Sequence, residues 1–232
     1  MGNILEVKNL TKRYGKYTAL DNVSINVGGG KIIGLLGPNG SGKTTFLKCL
    51  AGLLKIDGGE VFIDGKKVGG ETKKVVSFLP ERTYLDMSST VEESIDFFKE
   101  FYEDFDENKA YGMLETLGVD KRAKLRTLSK GTKEKVQLIL VMSRNAKLFL
   151  LDEPLGGVDP AAREFILNAI LAKYKDGSTI IVSTHLILDV EEILDEYIFV
   201  QNNKLTAYGS VKDIHDQGKT VDGLFREAFR CF

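Results

Sequence analysis

Tryptophan is absent from this chain, and cysteine, histidine and proline are scarce, at two, two and four in 232 residues. Cys49 and Cys231 cannot build a disulfide framework, and they are too far apart for metal-ligand spacing, so neither a stapled scaffold nor a zinc site is indicated. Cys49 lies in the apolar run Phe46-Leu47-Lys48-Cys49-Leu50, where a thiol acts as a small buried hydrophobe. An excess of one charge is missing too: 32 Lys and Arg face 33 Asp and Glu, a net −1. Without a broad positive field, no nucleic-acid partner is expected. Long apolar runs are also lacking. Val136 to Met142 is among the longest and falls far short of the roughly 20 residues that span a bilayer. The N-terminal Met1-Gly2-Asn3-Ile4-Leu5-Glu6 has neither the basic nor the apolar region of a signal peptide. The expectation is a cytoplasmic protein that reaches a membrane only through a separate partner.

What is present is a 43% hydrophobic content, sufficient for a proper core. From Ile4 to Val27 apolar residues alternate around a Tyr14-Gly15-Lys16 turn, which predicts antiparallel strands. Gly28-Gly29-Gly30 interrupts this pattern before Lys31 to Leu36, a short apolar run of the kind buried on both faces. Helical spacing follows from Thr44 to Leu54. Asp64-Gly65 suits a tight hairpin turn between Glu60–Ile63 and Lys67–Phe78. From Thr90 to Leu117 the period becomes helical, with Ile95, Phe98, Tyr102 and Phe105 on one face, which predicts a helical insertion lobe over about 82–145. A helix over Ser129–Ser143 then leads into a strand at Lys147–Leu151. Next come a helix at Phe165–Tyr174 and a buried strand at Thr179–Ser183, the alternation of a parallel sheet with crossovers. Tyr197–Val200 and Lys204–Ala207 form a hairpin around Asn202-Asn203. The expected body is residues 1–215. A helical tail over 216–232 follows, with Leu224, Phe225 and Phe229 spaced to pack back on that body.

Two clusters carry chemistry. Gly37-Pro38-Asn39-Gly40-Ser41-Gly42-Lys43-Thr44 stands between an expected strand and an expected helix, the setting in which a glycine-rich loop turns its backbone N–H groups onto phosphates. The helix N-terminus adds its positive end. Lys43 would reach the β- and γ-phosphates of a nucleotide, Thr44 would ligate Mg²⁺, and Thr45 extends the cradle. The second cluster is Asp152-Glu153, closing the apolar strand Leu148-Phe149-Leu150-Leu151. Acids at the end of a buried strand are costly without a nearby cation, which suits Asp152 to Mg²⁺ and Glu153 to activating a water as general base.

Leu128-Ser129-Lys130-Gly131-Thr132, just before the helix that leads to Asp152, resembles the LSGGQ signature of ATP-binding cassette (ABC) ATPases, with Lys130 and Thr132 replacing a glycine and the glutamine. The resemblance implies an α/β P-loop fold of ABC type, with a mainly parallel sheet core, an antiparallel β subdomain and the helical lobe. It also implies an ATPase subunit of a transporter, closing as a head-to-tail dimer around two ATP to drive integral membrane permease subunits from the inner face of the membrane. In that family the signature of one subunit completes the ATP site of the other, giving Ser129 and Gly131 contacts to the γ-phosphate. Tyr14 matches the aromatic that stacks on adenine. His185, in Ser183-Thr184-His185, matches the switch histidine. Asp159, in Gly157-Val158-Asp159-Pro160, matches the loop along the dimer interface and also suits a helix cap. Glu81, in Phe78-Leu79-Pro80-Glu81, stands where the family has a metal-contacting glutamine. Exporter-type cassettes for drugs, bacteriocins or sodium are similar in this LPE and in the LSKG signature. A soluble ABC ATPase acting on ribosomes or DNA is the alternative, kept open by the basic stretch Lys121–Arg126.

Overall fold

The computed structural model describes residues 2–229, so Cys231 and the end of the tail lie outside the described residues. Two sheets form the frame. In the antiparallel sheet the order is β2-β1-β4-β5, with β1 Asn3–Tyr14, β2 Tyr17–Gly28, β4 Gly58–Ile63 and β5 Lys66–Lys67. The second sheet has the order β10-β9-β3-β8-β7-β6, with β3 Ile32–Leu36, β6 Val76–Leu79, β7 Leu148–Asp152, β8 Thr179–Thr184, β9 Glu196–Gln201 and β10 Lys204–Ser210. All neighbours in it are parallel except the β9–β10 hairpin. Every residue of β3, β7 and β8 is buried, as expected of strands covered on both faces.

Helix α1 (Lys43–Leu50) fills the space between the sheets with Phe46, Leu47 and Leu50, against Val7, Leu20, Ile33 and Leu150. On the opposite face of the parallel sheet lie α5 (Pro160–Lys175), α6 (Val211–Asp216) and α7 (Val221–Ala228), joined there by Ile166, Ile170, Val211 and Val221. A third core lies within the helical lobe, where α2 (Val91–Phe101) and α3 (Glu107–Thr116) meet α4 (Lys130–Met142) through Ile95, Phe98, Leu114, Val136 and Ile139. Thr90 and Glu93 form a reciprocal capping box that starts α2. No described helix is long and apolar enough to cross a membrane.

Two stretches depart from the sequence expectation. Only Lys66–Lys67 returns along β4; the chain then makes a 3-10 turn at Glu71–Lys74, and Val76–Leu79 joins the other sheet, parallel to β7. Gly69-Gly70 ends the hairpin, and the apolar run after it belongs to a strand buried between neighbours. Similarly, Thr90–Leu117 is two helices: α2 stops before Tyr102, and Asp106 caps α3 by accepting from Lys109 N–H at 3.0 Å. The break is held by Arg144. Its guanidinium grips Asp104 twice (2.9 and 3.1 Å), donates to the carbonyls of Val76 and Lys74, and lies 3.9 Å from the centre of the Tyr102 ring. Lobe and sheet are stapled at that point.

The tail is anchored by one carboxylate. Leu224, Phe225 and Phe229 pack onto the body, with Phe225 edge-on to Phe199. Glu191 accepts from the N–H groups of Val221 (2.7 Å) and Asp222 (3.1 Å) and lies 2.8 Å from His215 Nε2. Burial alone would push this carboxyl up, but His215 and the two N–H donors outweigh it and hold it below the ordinary 4.5. Its contribution to stability is therefore present above about pH 4.5 and is lost as pH falls through the lowered value. Glu191→Gln is expected to weaken the α7 contact by about 1–3 kcal/mol. Faster amide exchange confined to 221–228 would be the readout, and unchanged exchange there would contradict it.

Candidate active site

Because β3, β6, β7 and β8 run parallel, their carboxyl ends emerge at one edge, where ligands bind in such sheets. The register pairs Leu36 with Thr184, Asp152 with Ser183 and Leu79 with Leu151. Four loops therefore converge: the glycine loop after β3, Pro80-Glu81 after β6, Glu153 after β7 and His185 after β8. They line a cleft of about 1120 Å³ with Tyr14, Tyr17 and residues 39–45.

The glycine loop has the backbone that its composition allows. Gly42 caps α1 with φ +108°, and a Cβ there would fall 2.7 Å from Ala19 O. At Gly37 a Cβ would lie 2.5 Å from Val200 O, so the loop can approach its neighbours only without side chains at these points. Lys43 is buried within this turn, its Nζ donating to Gly37 O at 2.7 Å and Pro38 O at 3.2 Å. The same ammonium lies 3.3 Å from Glu153 Oε1, an ion pair whose angles leave that oxygen without a hydrogen bond.

Around the two acids the polar groups are sorted. Thr44 Oγ1 (3.1 Å) and Ser183 Oγ (2.7 Å) both donate to Asp152 Oδ1, while Asp152 Oδ2 is buried with no hydrogen-bond partner. Burial raises the Asp152 carboxyl above its ordinary value; the two hydroxyls oppose this, and the nearby charges of Glu153 and Glu81 add to it. Glu153 has φ +49°, a left-handed conformation that costs a non-glycine residue roughly 1–2 kcal/mol. Its N–H is held by Ser183 O (3.1 Å) and Ser183 Oγ (3.0 Å). Its Oε2 lies 2.9 Å from His185 Nδ1. A proton on Nδ1 makes this contact a hydrogen bond in which the ring donates to the carboxylate.

Gly37 and Pro38 lie outside the cleft lining and hold Lys43 through their carbonyls, while the other candidate residues divide into two groups. Tyr14, Asn39 to Thr45, Glu81, Asp152, Glu153 and His185 line one cleft. Ser129, Gly131 and Asp159 are exposed and outside that lining. Ser129 accepts from Thr132 N–H at 3.1 Å and caps α4, and Asp159 accepts from Ala162 N–H at 2.8 Å and caps α5. Three participants escaped the sequence reading. Tyr17 faces Tyr14 across the β1–β2 turn and lines the cleft. Gln137, buried in α4, donates to Pro80 O and accepts from Tyr84 N–H, tying the Glu81 loop to the helix that Ser129 caps. Ser183 is the third; its place in the motif just before His185 was its only signal.

The sequence profile described as ABC transporter matches residues 20–156. The SkfA peptide export ATP-binding protein SkfE of Bacillus subtilis is 34% identical over 223 residues, 93% of this chain and 93% of its own. The linearmycin resistance ATP-binding protein LnrL of the same organism is 30% identical over 219 residues, 91% of this chain and 70% of its own. Among solved structures, the ATP-binding subunit of an ABC transporter superposes with a TM-score of 0.89 at 28% identity, covering 98% of this chain and 100% of that one. The ADP conformation of another such cassette matches with a TM-score of 0.75 at 26% identity, covering 97% and 99%.

Proposed function

Since the chain belongs to the ABC transporter ATP-binding family, and so binds and hydrolyses ATP as a transporter subunit, we propose that Glu153 activates the water that hydrolyses ATP held on the Gly37–Thr45 loop. The observation that carries this is the contact set of Glu153, with one oxygen on Lys43 and the other on His185 at the mouth of the loop. Tyr14 offers its face to adenine. The N–H groups of the loop and the start of α1 take the phosphate oxygens. Lys43, now shared between two carbonyls and Glu153, turns to the β- and γ-phosphates, whose charge it meets better than a neutral carbonyl can. That movement releases Glu153 to accept a proton from water, while His185 keeps its carboxylate aimed.

The donor set also suits Mg²⁺. Asp152 Oδ2 is a buried oxygen without a partner, the Thr44 hydroxyl adjoins the same carboxylate, and Glu81 stands on the cleft wall. These are hard oxygen donors, few enough to leave room for the waters and phosphate oxygens that Mg²⁺ prefers. When bound, the ion neutralises charge on the β- and γ-phosphates. A carboxyl whose ionised form is disfavoured by burial, as Asp152 is, gains most from a cation beside it.

The exposed signature supports a site completed from outside the chain. Ser129 and Gly131 at the start of α4 would close over the ATP of a second subunit, identical or related, with Asp159 along the same interface. This is a head-to-tail dimer with two nucleotides, and its opening and closing would drive a permease from the inner membrane face. The peptide-export and resistance functions of SkfE and LnrL favour export. Glu81 and the lobe would meet the permease beside a groove of about 800 Å³, where Phe101 and Tyr84 are exposed. Gly131→Asp tests the dimer. A Cβ on Gly131 meets nothing within 4 Å in its own chain, so thermal stability and nucleotide binding by a single subunit should hold. A carboxylate facing the partner's γ-phosphate should cut turnover about 100-fold or more. Unaltered turnover would exclude the two-subunit site.

A further inference from the structure

We infer that Ser183 is the positioning residue that decides which oxygen of Asp152 is offered to the metal. This rests on the ATP-hydrolysing site proposed above. Parallel register sets Ser183 beside Asp152, and its hydroxyl is spent in both directions. It donates to Asp152 Oδ1 at 2.7 Å and accepts from Glu153 N–H at 3.0 Å. A hydroxyl has one proton, so accepting from Glu153 fixes its direction of donation. Thr44 donates to the same Oδ1 at 3.1 Å. Both donors therefore load one oxygen, and Oδ2 is left buried and unpartnered.

Ser183 is itself fully buried, so water cannot replace its hydroxyl on either side. Without it, Thr44 alone would orient the carboxylate, and Thr44 is also a candidate metal ligand. Ser183 has no such second task. It acts through Asp152, and through the Glu153 backbone that it helps hold at φ +49°.

Outer hydrogen-bond partners of metal ligands typically contribute about 10–100-fold in metal affinity. In Ser183→Ala, the gain in ADP affinity on adding Mg²⁺, measured by equilibrium binding of fluorescent ADP with Mg²⁺ against EDTA, should shrink at least about tenfold. Binding in EDTA should stay as in the parent protein, and the Mg²⁺ concentration giving half-maximal turnover should rise by a similar factor. Ser183→Thr keeps the hydroxyl and should restore much of the Mg²⁺ dependence, and it serves as the test should the alanine variant fold poorly. A merely structural serine would lower the unfolding temperature and leave the Mg²⁺ ratio unchanged; that result overturns the inference. An unchanged ratio alongside normal hydrolysis by the parent protein refutes only the role of Ser183, whereas absence of hydrolysis in the parent protein refutes the proposed site.

Discussion

Glu153→Gln is expected to lower ATP turnover by about 10²–10⁴-fold, the range lost with a general base, while ATP binding becomes tighter. The two effects share a cause. In the free chain Glu153 Oε1 sits 3.3 Å from Lys43 Nζ, so the carboxylate competes with phosphate for the one ammonium buried in the glycine loop. An amide carries no charge, and Lys43 then meets the phosphates without first giving up a counter-ion. His185 Nδ1 can still donate to the amide oxygen in place of Glu153 Oε2, so the loop after β8 keeps its support. With binding retained and hydrolysis removed, the closed pair of subunits should persist. Gel filtration with ATP should give a dimer that wild-type protein, hydrolysing its ATP, does not hold. Turnover at the wild-type rate would remove Glu153 from its proposed role.

Much of this site was legible because its parts are local. A glycine loop between an apolar strand and a helix, and an acid pair closing another apolar strand, each state their chemistry within a few residues. Their convergence follows from parallel pairing, which sends β3, β6, β7 and β8 to the same edge. What was not legible depends on register and on distant partners. Nothing in Ser183-Thr184-His185 says that the serine faces Asp152; only the β7–β8 pairing does. Nothing in the sequence around Arg144 signals that it is buried against Asp104 and the ends of the Lys73–Val76 segment. The stretch Lys67–Phe78 looked like a hairpin arm because alternation in a short segment cannot tell which sheet will receive it. The helical period across Thr90–Leu117 likewise continued in sequence through a break that Arg144 and Asp106 enforce in space.

Lys43→Met separates the two roles of the buried ammonium. Methionine nearly matches the length of the side chain but carries no charge, so the phosphate contact is lost while most of the packing survives. A hydrogen bond to a charged group contributes roughly 1.5–3 kcal/mol, so nucleotide affinity should fall about 10–150-fold, and turnover should become unmeasurable. The nucleotide-free protein should also lose stability. Gly37 O and Pro38 O give up their donor, and Glu153 Oε1, already without a hydrogen bond, loses the ammonium 3.3 Å away. Leaving a buried carboxylate oxygen in that state costs about 1–3 kcal/mol, which thermal unfolding without nucleotide would register as a clear fall in midpoint. The double variant Lys43→Met with Glu153→Gln removes both charges together. It should recover a good part of that stability, because an uncharged pair is left where one uncompensated charge had been. Its hydrolysis should remain abolished. If the double variant were instead less stable than the parent protein by the sum of the two single losses, Lys43 and Glu153 would be energetically independent, and the release of Glu153 by ATP binding to Lys43 would lose its physical basis.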